Sequence, residues 1–245
     1  MRIIISKVKI IVEWIATFAL RSLIDGNANK YDYKFFVTEN IYNPFFNKEN
    51  FKVSLLNASP YTIISTYKFQ TLYWALQESP LGNVLDIGVL RGGSSIFFAN
   101  LLESENLIYS VDNWSEHAKP NSDSLLTYSS CSDLEDFKKA IIDLKISKRI
   151  NICDCSLKTF LAVRKSDLVG TIAVIHFDLY DSSTFDDTVE DMLKLLKRGG
   201  CLLIAGYGSL ALPKLSKSVD LFAKSSKYYT RFLQDKSGYG IFIKI

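Results

Sequence analysis

Apolar and polar positions change pattern three times along the chain. In residues 1–24 the polar positions Arg2, Ser6, Lys9, Glu13, Thr17 and Arg21 recur every three or four residues. They line one stripe of a helix whose remaining surface is apolar. Glu13 interrupts the run, and the uncharged stretch Trp14–Leu20 falls short of the roughly 20 apolar residues a membrane span needs. No small-x-small cleavage site follows. The expectation is an amphipathic helix packed on its own domain or on a second copy in a homodimer, with peripheral membrane contact through residues 1–24 as the alternative.

Residues 25–60 are rich in Asn, Lys, Tyr and Phe, as in Tyr31-Asp-Tyr33, Phe35-Phe36 and Phe45-Phe46, and show no clear period. An irregular cap is expected there, its aromatics either packing or lining a pocket. Ser59-Pro60 has the N-cap and N1 chemistry of a helix start, predicting a helix to about Gln77.

From Asn83 onward, strand and helix patterns alternate. Strands are predicted at Asn83–Ile87, Leu107–Asp112, Ile150–Cys153, Thr171–Asp178 and Cys201–Ala205. Helices fall between them at Ser94–Glu103, Ser132–Leu144 (opened by a Ser132-x-x-Glu135 capping box), Leu157–Arg164 and Thr184–Lys197, the last closed by Gly199-Gly200. Ser216–Ser225 reads as a helix. Tyr228–Leu233 and Tyr239–Ile245 read as strands of a hairpin around Asp235–Gly238. This rhythm predicts an α/β fold: a doubly wound, Rossmann-like sheet, mostly parallel, with an antiparallel C-terminal hairpin. An N-terminal helical or irregular cap (1–60) would precede the main domain (61–245).

Composition narrows the function more than the fold. The chain has 245 residues, 48% apolar and 22% charged, which fits one globular α/β domain with an appendage rather than a disordered chain. Its 29 basic and 26 acidic residues leave a net charge of +3, too balanced to predict a nucleic-acid partner. Cys131, Cys153, Cys155 and Cys201 lack zinc-site spacing and are read as reduced core residues, consistent with a cytoplasmic location.

In a doubly wound sheet, ligands bind beyond the carboxyl ends of the strands, where strand order reverses. Each of the first four strands ends on a carboxylate: Asp86, Asp112, Asp154 and Asp178. After the first comes the turn Asp86-Ile-Gly88-Val-Leu-Arg-Gly92-Gly93-Ser94, whose glycines would let a backbone approach a ligand closely. A dinucleotide fingerprint would read G-x-G-x-x-G. A carboxylate in the turn disfavours pyrophosphate and suits a ligand carrying an ammonium group. Asp112 stands where an acid accepting both ribose hydroxyls would stand, with Asn113 and Trp114 beside it and Trp114 bordering adenine. Asp154, Cys155 and Ser156 would flank the adenine edge. Each has a plainer reading: a glycine turn without ligand, a turn-starting Asp, a core or lid tryptophan, a helix cap.

Asp86–Ser95, Val111-Asp-Asn-Trp114, Ile175-His-Phe-Asp178-Leu-Tyr-Asp181-Ser and Leu195–Tyr207 together resemble class I S-adenosylmethionine-dependent methyltransferases. The resemblance is nearest to the macrocin-type sugar O-methyltransferases and covers about residues 61–245. It implies S-adenosylmethionine as cofactor and a small hydroxylated acceptor, a sugar or glycoside. Those relatives hold magnesium with an acid after strand four and an acidic pair after strand five. Asp178 matches the first position, but the pair falls on Ala205-Gly206, which offers no side-chain oxygen, so no tightly bound metal is expected. Without a metal, a side-chain base must take the acceptor proton. Asp178 leads, with His117 and Asp181 as further candidates, and His176 reads as a core histidine. A catalytically inactive, methyltransferase-like binding or scaffold protein is the competing reading, and the first-turn spacing disfavours a nicotinamide-dependent oxidoreductase.

Overall fold

The computed structural model describes residues 48–62, 64, 66–103, 105–117, 131–225, 230–234 and 238–245. At His117, Cys131 and Ser132, among a few others, it describes the backbone alone. The expectations for residues 1–24, for most of the cap, for the His117 imidazole, for the Ser132 capping hydroxyl and for the 235–237 turn therefore lie outside the described residues.

Helix α1 (Glu49–Ala58) and a 3-10 turn (Ser59–Tyr61) lead into α2 (Thr66–Glu78). Then come β1 (Asn83–Ile87), α3 (Gly93–Leu101), β2 (Ile108–Asp112), the single turn α4 (Trp114–His117), α5 (Cys131–Asp143) and β3 (Ile150–Asp154). The chain continues through α6 (Leu157–Leu168), β4 (Ile172–Phe177), α7 (Ser182–Leu195), β5 (Leu196–Ala205), α8 (Pro213–Ser225), β6 (Thr230–Gln234) and β7 (Tyr239–Lys244).

The seven strands form one sheet in the order β3-β2-β1-β4-β5-β7-β6. The first five are parallel, and β7 lies antiparallel between β5 and the edge strand β6. This is the doubly wound architecture expected from the sequence. Order reverses between β1 and β4, which places the crevice at their carboxyl ends. One face of the sheet, with Val84, Ile108, Val174, Leu203 and Ile241, packs under α1, α2, α3 and α5. The other, with Leu85, Val111, Ile175, Leu202 and Phe242, packs under α6, α7 and α8. Inner strands covered on both faces explain why every residue of β2 and β4 is buried, the polar Ser110, Asp112 and His176 included.

Three local expectations change. Residues 49–58, assigned by their poor period to an irregular cap, form a helix. It buries Phe51, Ser54 and Ala58 on one side, with the Phe51 ring edge-on to Tyr73 and Phe97 at 5.4 and 5.7 Å. Pro60 opens only the 3-10 turn, and α2 starts at Thr66. Helix α7 ends at Leu195 rather than Lys197, because Leu196 already pairs with Ile172 in the sheet. The Gly199-Gly200 pair lies within β5, where a Cβ at Gly200 would stand 2.7 Å from the Ala173 carbonyl.

Candidate functional site

The switch point is built from backbone first. The Gly88 N–H donates to the Val111 carbonyl at 3.0 Å, and the Asp178 N–H to the Ile87 carbonyl at 2.9 Å, so the ends of β1, β2 and β4 meet at Gly88. Gly88 has φ +80°, and a Cβ there would lie 2.7 Å from the Asp178 carbonyl oxygen. Glycine is required on both counts. The turn continues through Leu90, itself left-handed at φ 54°. The Leu90 N–H donates to Asp112 Oδ2 at 2.8 Å, and its carbonyl accepts from the Trp114 indole at 2.7 Å.

Two parts of the expected cradle face protein. Gly92, at φ +89°, would place a Cβ 2.0 Å from the Phe137 ring, and a Cβ on Gly93 would meet Thr62 at 2.4 Å. The close approach these two glycines permit is made by α5 and by the residue after the 3-10 turn. Arg91 ties the same turn to α5 through Asp133 at 2.7 Å. Trp114 is fully buried, with its ring 6.3 Å from that of Phe137, so it packs as a core tryptophan.

Asp86 departs from the expectation that it points its charge into the crevice. Its carboxylate is 0% exposed and accepts from Ser94 Oγ at 2.7 Å, Ser95 Oγ at 2.5 Å and His176 Nδ1 at 2.8 Å. Strand alternation turns it into the sheet–helix interface, where a buried charge must be satisfied on the spot. Because a carboxylate only accepts, His176 Nδ1 donates to it, and Nε2 shares a hydrogen bond with the Tyr239 hydroxyl at 2.9 Å. Ser95 also bonds Ser110 at 2.7 Å. His176 is thus the core histidine expected, and Ser94 is an Asp86 ligand.

At the end of β2, Asp112 is 7% exposed and holds the turn through Leu90 and the Asn113 N–H. At the edge strand, exposed Asp154 accepts from the Ser115 backbone and hydroxyl, joining the β3 end to α4. Ser156 is the N-cap of α6, accepting from the Thr159 N–H at 3.2 Å. Cys153 and Cys155 are half-buried free thiols whose ionisation is pushed up, first by burial, while the buried Cys201 is pushed up to about 11 for the same reason. None is poised as a nucleophile.

The ends of β4 and β5 are different in kind. Asp178 Oδ1 is buried and has no hydrogen-bond partner among the described residues. Burial raises its pKa above the ordinary carboxylate range, despite the opposing charges of His176 and Lys68. The Tyr180 phenol faces this carboxyl, and burial followed by the carboxylate charge pushes its ionisation up. Half-buried Lys68, from α2, places Nζ 5.6 Å from the centre of the Tyr239 ring. At the end of β5, Ala205 is buried, and Gly206 after it packs against Leu212 and Tyr180.

Asp181, expected as an alternative base, is the N-cap of α7. It accepts from the N–H groups of Ser183 and Thr184 at 3.1 and 3.0 Å and from both hydroxyls. Burial opposes its ionisation, but these hydrogen bonds outweigh it and hold the carboxyl below its usual range. Such an acid is a poor proton acceptor.

Lys68 and Tyr180 were not found by reading the sequence. Tyr180 follows a strand-end acid by two residues and could have been suspected from that. Nothing in the pattern of α2 sets Lys68 apart. No cluster of three His, Cys, Asp or Glu side chains suited to a metal occurs among the described residues. A groove of about 280 Å³ between Tyr61 and α5 shares only Arg91 with the glycine turn.

The residues present fit a ribose-bearing cofactor at Asp112, which ends β2 at the diol position, beside the close-approach turn at Gly88. Solved structures share this fold at low identity. The O-methyltransferase NovP superposes with a TM-score of 0.61 at 14% identity, over 75% of this chain and 82% of that one. An O-methyltransferase from Bacillus cereus in complex with S-adenosylhomocysteine gives 0.56 at 16%, over 80% and 91%. An S-adenosylhomocysteine-bound methyltransferase from Podospora anserina gives 0.57 at 12%, over 81% and 88%. At such identities the likeness is one of fold. No protein-family profile matches the chain, and neither does any curated protein.

Proposed function

We propose that the chain is an S-adenosylmethionine-dependent O-methyltransferase acting on a small hydroxylated acceptor, a sugar or glycoside of the kind taken by macrocin-type enzymes. The observation that carries this reading is the orphaned Asp178 Oδ1 at the switch point. Buried polar atoms are nearly always paired, so an unpaired carboxylate oxygen at the ligand end of a sheet suits a group that arrives from outside. The shared fold with O-methyltransferases supports it.

In this reading Asp112 holds the ribose hydroxyls, the Gly88 turn supports the methionine end, and Asn113 and Cys155 border the base. The cofactor supplies a methyl group on a sulfonium, already a strong electrophile. What the protein adds is alignment of the acceptor oxygen and removal of its proton. Asp178 is the group for the second task. Its burial makes it more basic than a surface carboxylate, and the Tyr180 phenol stands next to it. Asp86 acts at one remove, by fixing Ser94 at the start of α3 and His176 in β4.

We assign no metal to this chemistry. Lys68 already brings a positive charge to Asp178, and Ala205-Gly206 gives a divalent ion no further side-chain oxygen. A non-catalytic binding protein is the second reading, favoured by the Phe137 ring and Thr62 filling the room over Gly92 and Gly93. Among the described residues no helix is long and apolar enough to cross a membrane. A cytoplasmic protein, with residues 1–24 serving a homodimer or a membrane surface, is the corresponding proposal.

Isothermal calorimetry with S-adenosylmethionine and S-adenosylhomocysteine, each with and without Mg²⁺, tests the assignment. Micromolar binding indifferent to Mg²⁺, followed by methylation of a glycoside, is the expected result. Absence of binding to either ligand would refute it in favour of the second reading.

A further inference from the structure

The carboxyl end of the edge strand β3 carries two thiols one residue apart, Cys153 and Cys155. Both are half-buried free cysteines. Both pack against the apolar cluster under α6, so their side chains lie on the same side of the chain. In an extended strand the α-carbons of residues i and i+2 stand about 6.6 Å apart, near the far limit of the roughly 4.4–6.8 Å that a disulfide spans. Here the chain is bent at that point. The Cys155 N–H donates to the Asp112 carbonyl at 3.0 Å, the bond that continues the ladder from β2, and also to the Cys153 carbonyl at 3.0 Å. The second bond, between residues i and i+2, closes a γ-turn centred on Asp154 and draws the two cysteines together. The Asp154 carboxylate at its centre is engaged by the backbone and hydroxyl of Ser115 in α4.

We propose that Cys153 and Cys155 are a redox-active dithiol, a modification site that closes to an intramolecular disulfide with a small-molecule disulfide, such as glutathione disulfide, as oxidant. One protein thiol gives up its proton and attacks the small disulfide. A mixed disulfide forms, and the released small thiolate takes up that proton. The second protein thiol then gives up its proton and attacks the protein sulfur of the mixed disulfide. The second small thiolate leaves and is protonated in turn. The protein loses two electrons and two protons, and the small disulfide gains both as two thiols. Burial, first among the causes, holds both cysteines as neutral thiols, which slows the exchange. Thiols of high pKa are also slow leaving groups, so the bridge, once closed, reopens slowly. The bridge fixes the turn that ties the end of β3 to Asp112 and α4. That this is the cofactor's ribose and base end rests on the methyltransferase reading; the dithiol itself does not.

The test equilibrates full-length native protein with mixtures of reduced and oxidised glutathione, then quenches with acid, alkylates the remaining thiols and digests with trypsin. The fragment Ile150–Lys158 contains these two cysteines and neither Cys131 nor Cys201. By mass spectrometry it is expected to be two hydrogens lighter than its reduced form. At the same glutathione ratio the bridge should be about threefold or more favoured in the folded protein over the urea-unfolded chain, because the turn already holds the two ends. Cys153→Ser and Cys155→Ser should each stop at a single glutathione adduct on the remaining thiol. A native fragment that stays reduced at ratios that bridge the unfolded chain overturns the proposal. So does one that carries glutathione on both thiols without closing, or a bridge from either cysteine to Cys131 or Cys201. Failure of the reduced protein to bind S-adenosylhomocysteine would instead sink the methyltransferase reading, and the mass of the fragment would still decide the dithiol.

Discussion

The two ends of the switch point use their polar groups in opposite ways. At the β1 end every distinctive residue is engaged by the protein: Asp86 by three donors, Gly92 by the Phe137 ring, Gly93 by Thr62 and Trp114 by the Leu90 carbonyl. At the β4 end Asp178 keeps an oxygen with no partner among the described residues, and Lys68 rests on a ring rather than on a carboxylate. The first region is the more recognisable in sequence, and the second holds the unsatisfied group. A motif is recognisable because many constraints act on it, and here those constraints are largely packing and hydrogen bonding. Reactivity needs a group left unsatisfied, which costs stability and is confined to few atoms.

The contrast can be broken by substitution. Asp178→Asn should give the largest change, about 10²–10⁴-fold in turnover, with S-adenosylhomocysteine affinity nearly unchanged in calorimetry. The same variant should melt higher than wild type at neutral pH. A carboxyl whose folded pKa is raised weakens the fold once pH exceeds its unfolded value, so the advantage should vanish when both forms are neutral, below about pH 3. Each kcal/mol would appear as about 2–4 °C. A melting temperature unaffected by pH would show that Asp178 is not buried as described.

Asp86→Ala should act the other way, costing about 3–5 kcal/mol in denaturant unfolding, because it strands His176 and two serines in the core. Activity lost with full stability would instead move Asp86 into the crevice. Gly92→Ala should cost about 2–4 kcal/mol, combining a left-handed backbone with overpacking on Phe137. Phe137→Ala in the same chain should recover the overpacking part and leave the backbone strain.

Asp181→Ala is the mildest change, about 1 kcal/mol for a lost N-cap, with turnover preserved. Its folded pKa is depressed, so its contribution is present above about pH 4 and is lost as pH falls through the lower folded value. Thermal melts between pH 2 and pH 7 would read that loss directly. Turnover lost in this variant would restore Asp181 as a base.

Much of the fold was legible because sheet and helix periods are local. All seven strands were expected, and their ends lie within two residues of those observed, except that β5 begins at Leu196, five residues before the expected Cys201. The errors arose where tertiary pairing overrode a local signal. Leu196 joined the sheet although Thr184–Lys197 reads as one amphipathic helix, and Pro60 started a turn instead of α2. Helix α1 was missed because its buried face, Phe51, Ser54 and Ala58, includes a serine and is too short to stand out among scattered aromatics. Among the candidate residues, Asp112 and Asp178 were placed from their strand ends, and Ser156 and Asp181 turned out to cap helices.

The sequence by itself determined the alternation of strands and helices and therefore which carboxylates reach the ligand end of the sheet. That follows from periods of two and 3.6 residues, which need only neighbouring positions. Tertiary structure alone decided which of those carboxylates is satisfied. Asp86 met donors from α3 and β4, 8 to 90 positions away, whereas Asp178 was buried with one oxygen left without a partner among the described residues. Solvation and charge pairing depend on what the folded chain brings near, and no local spacing records that.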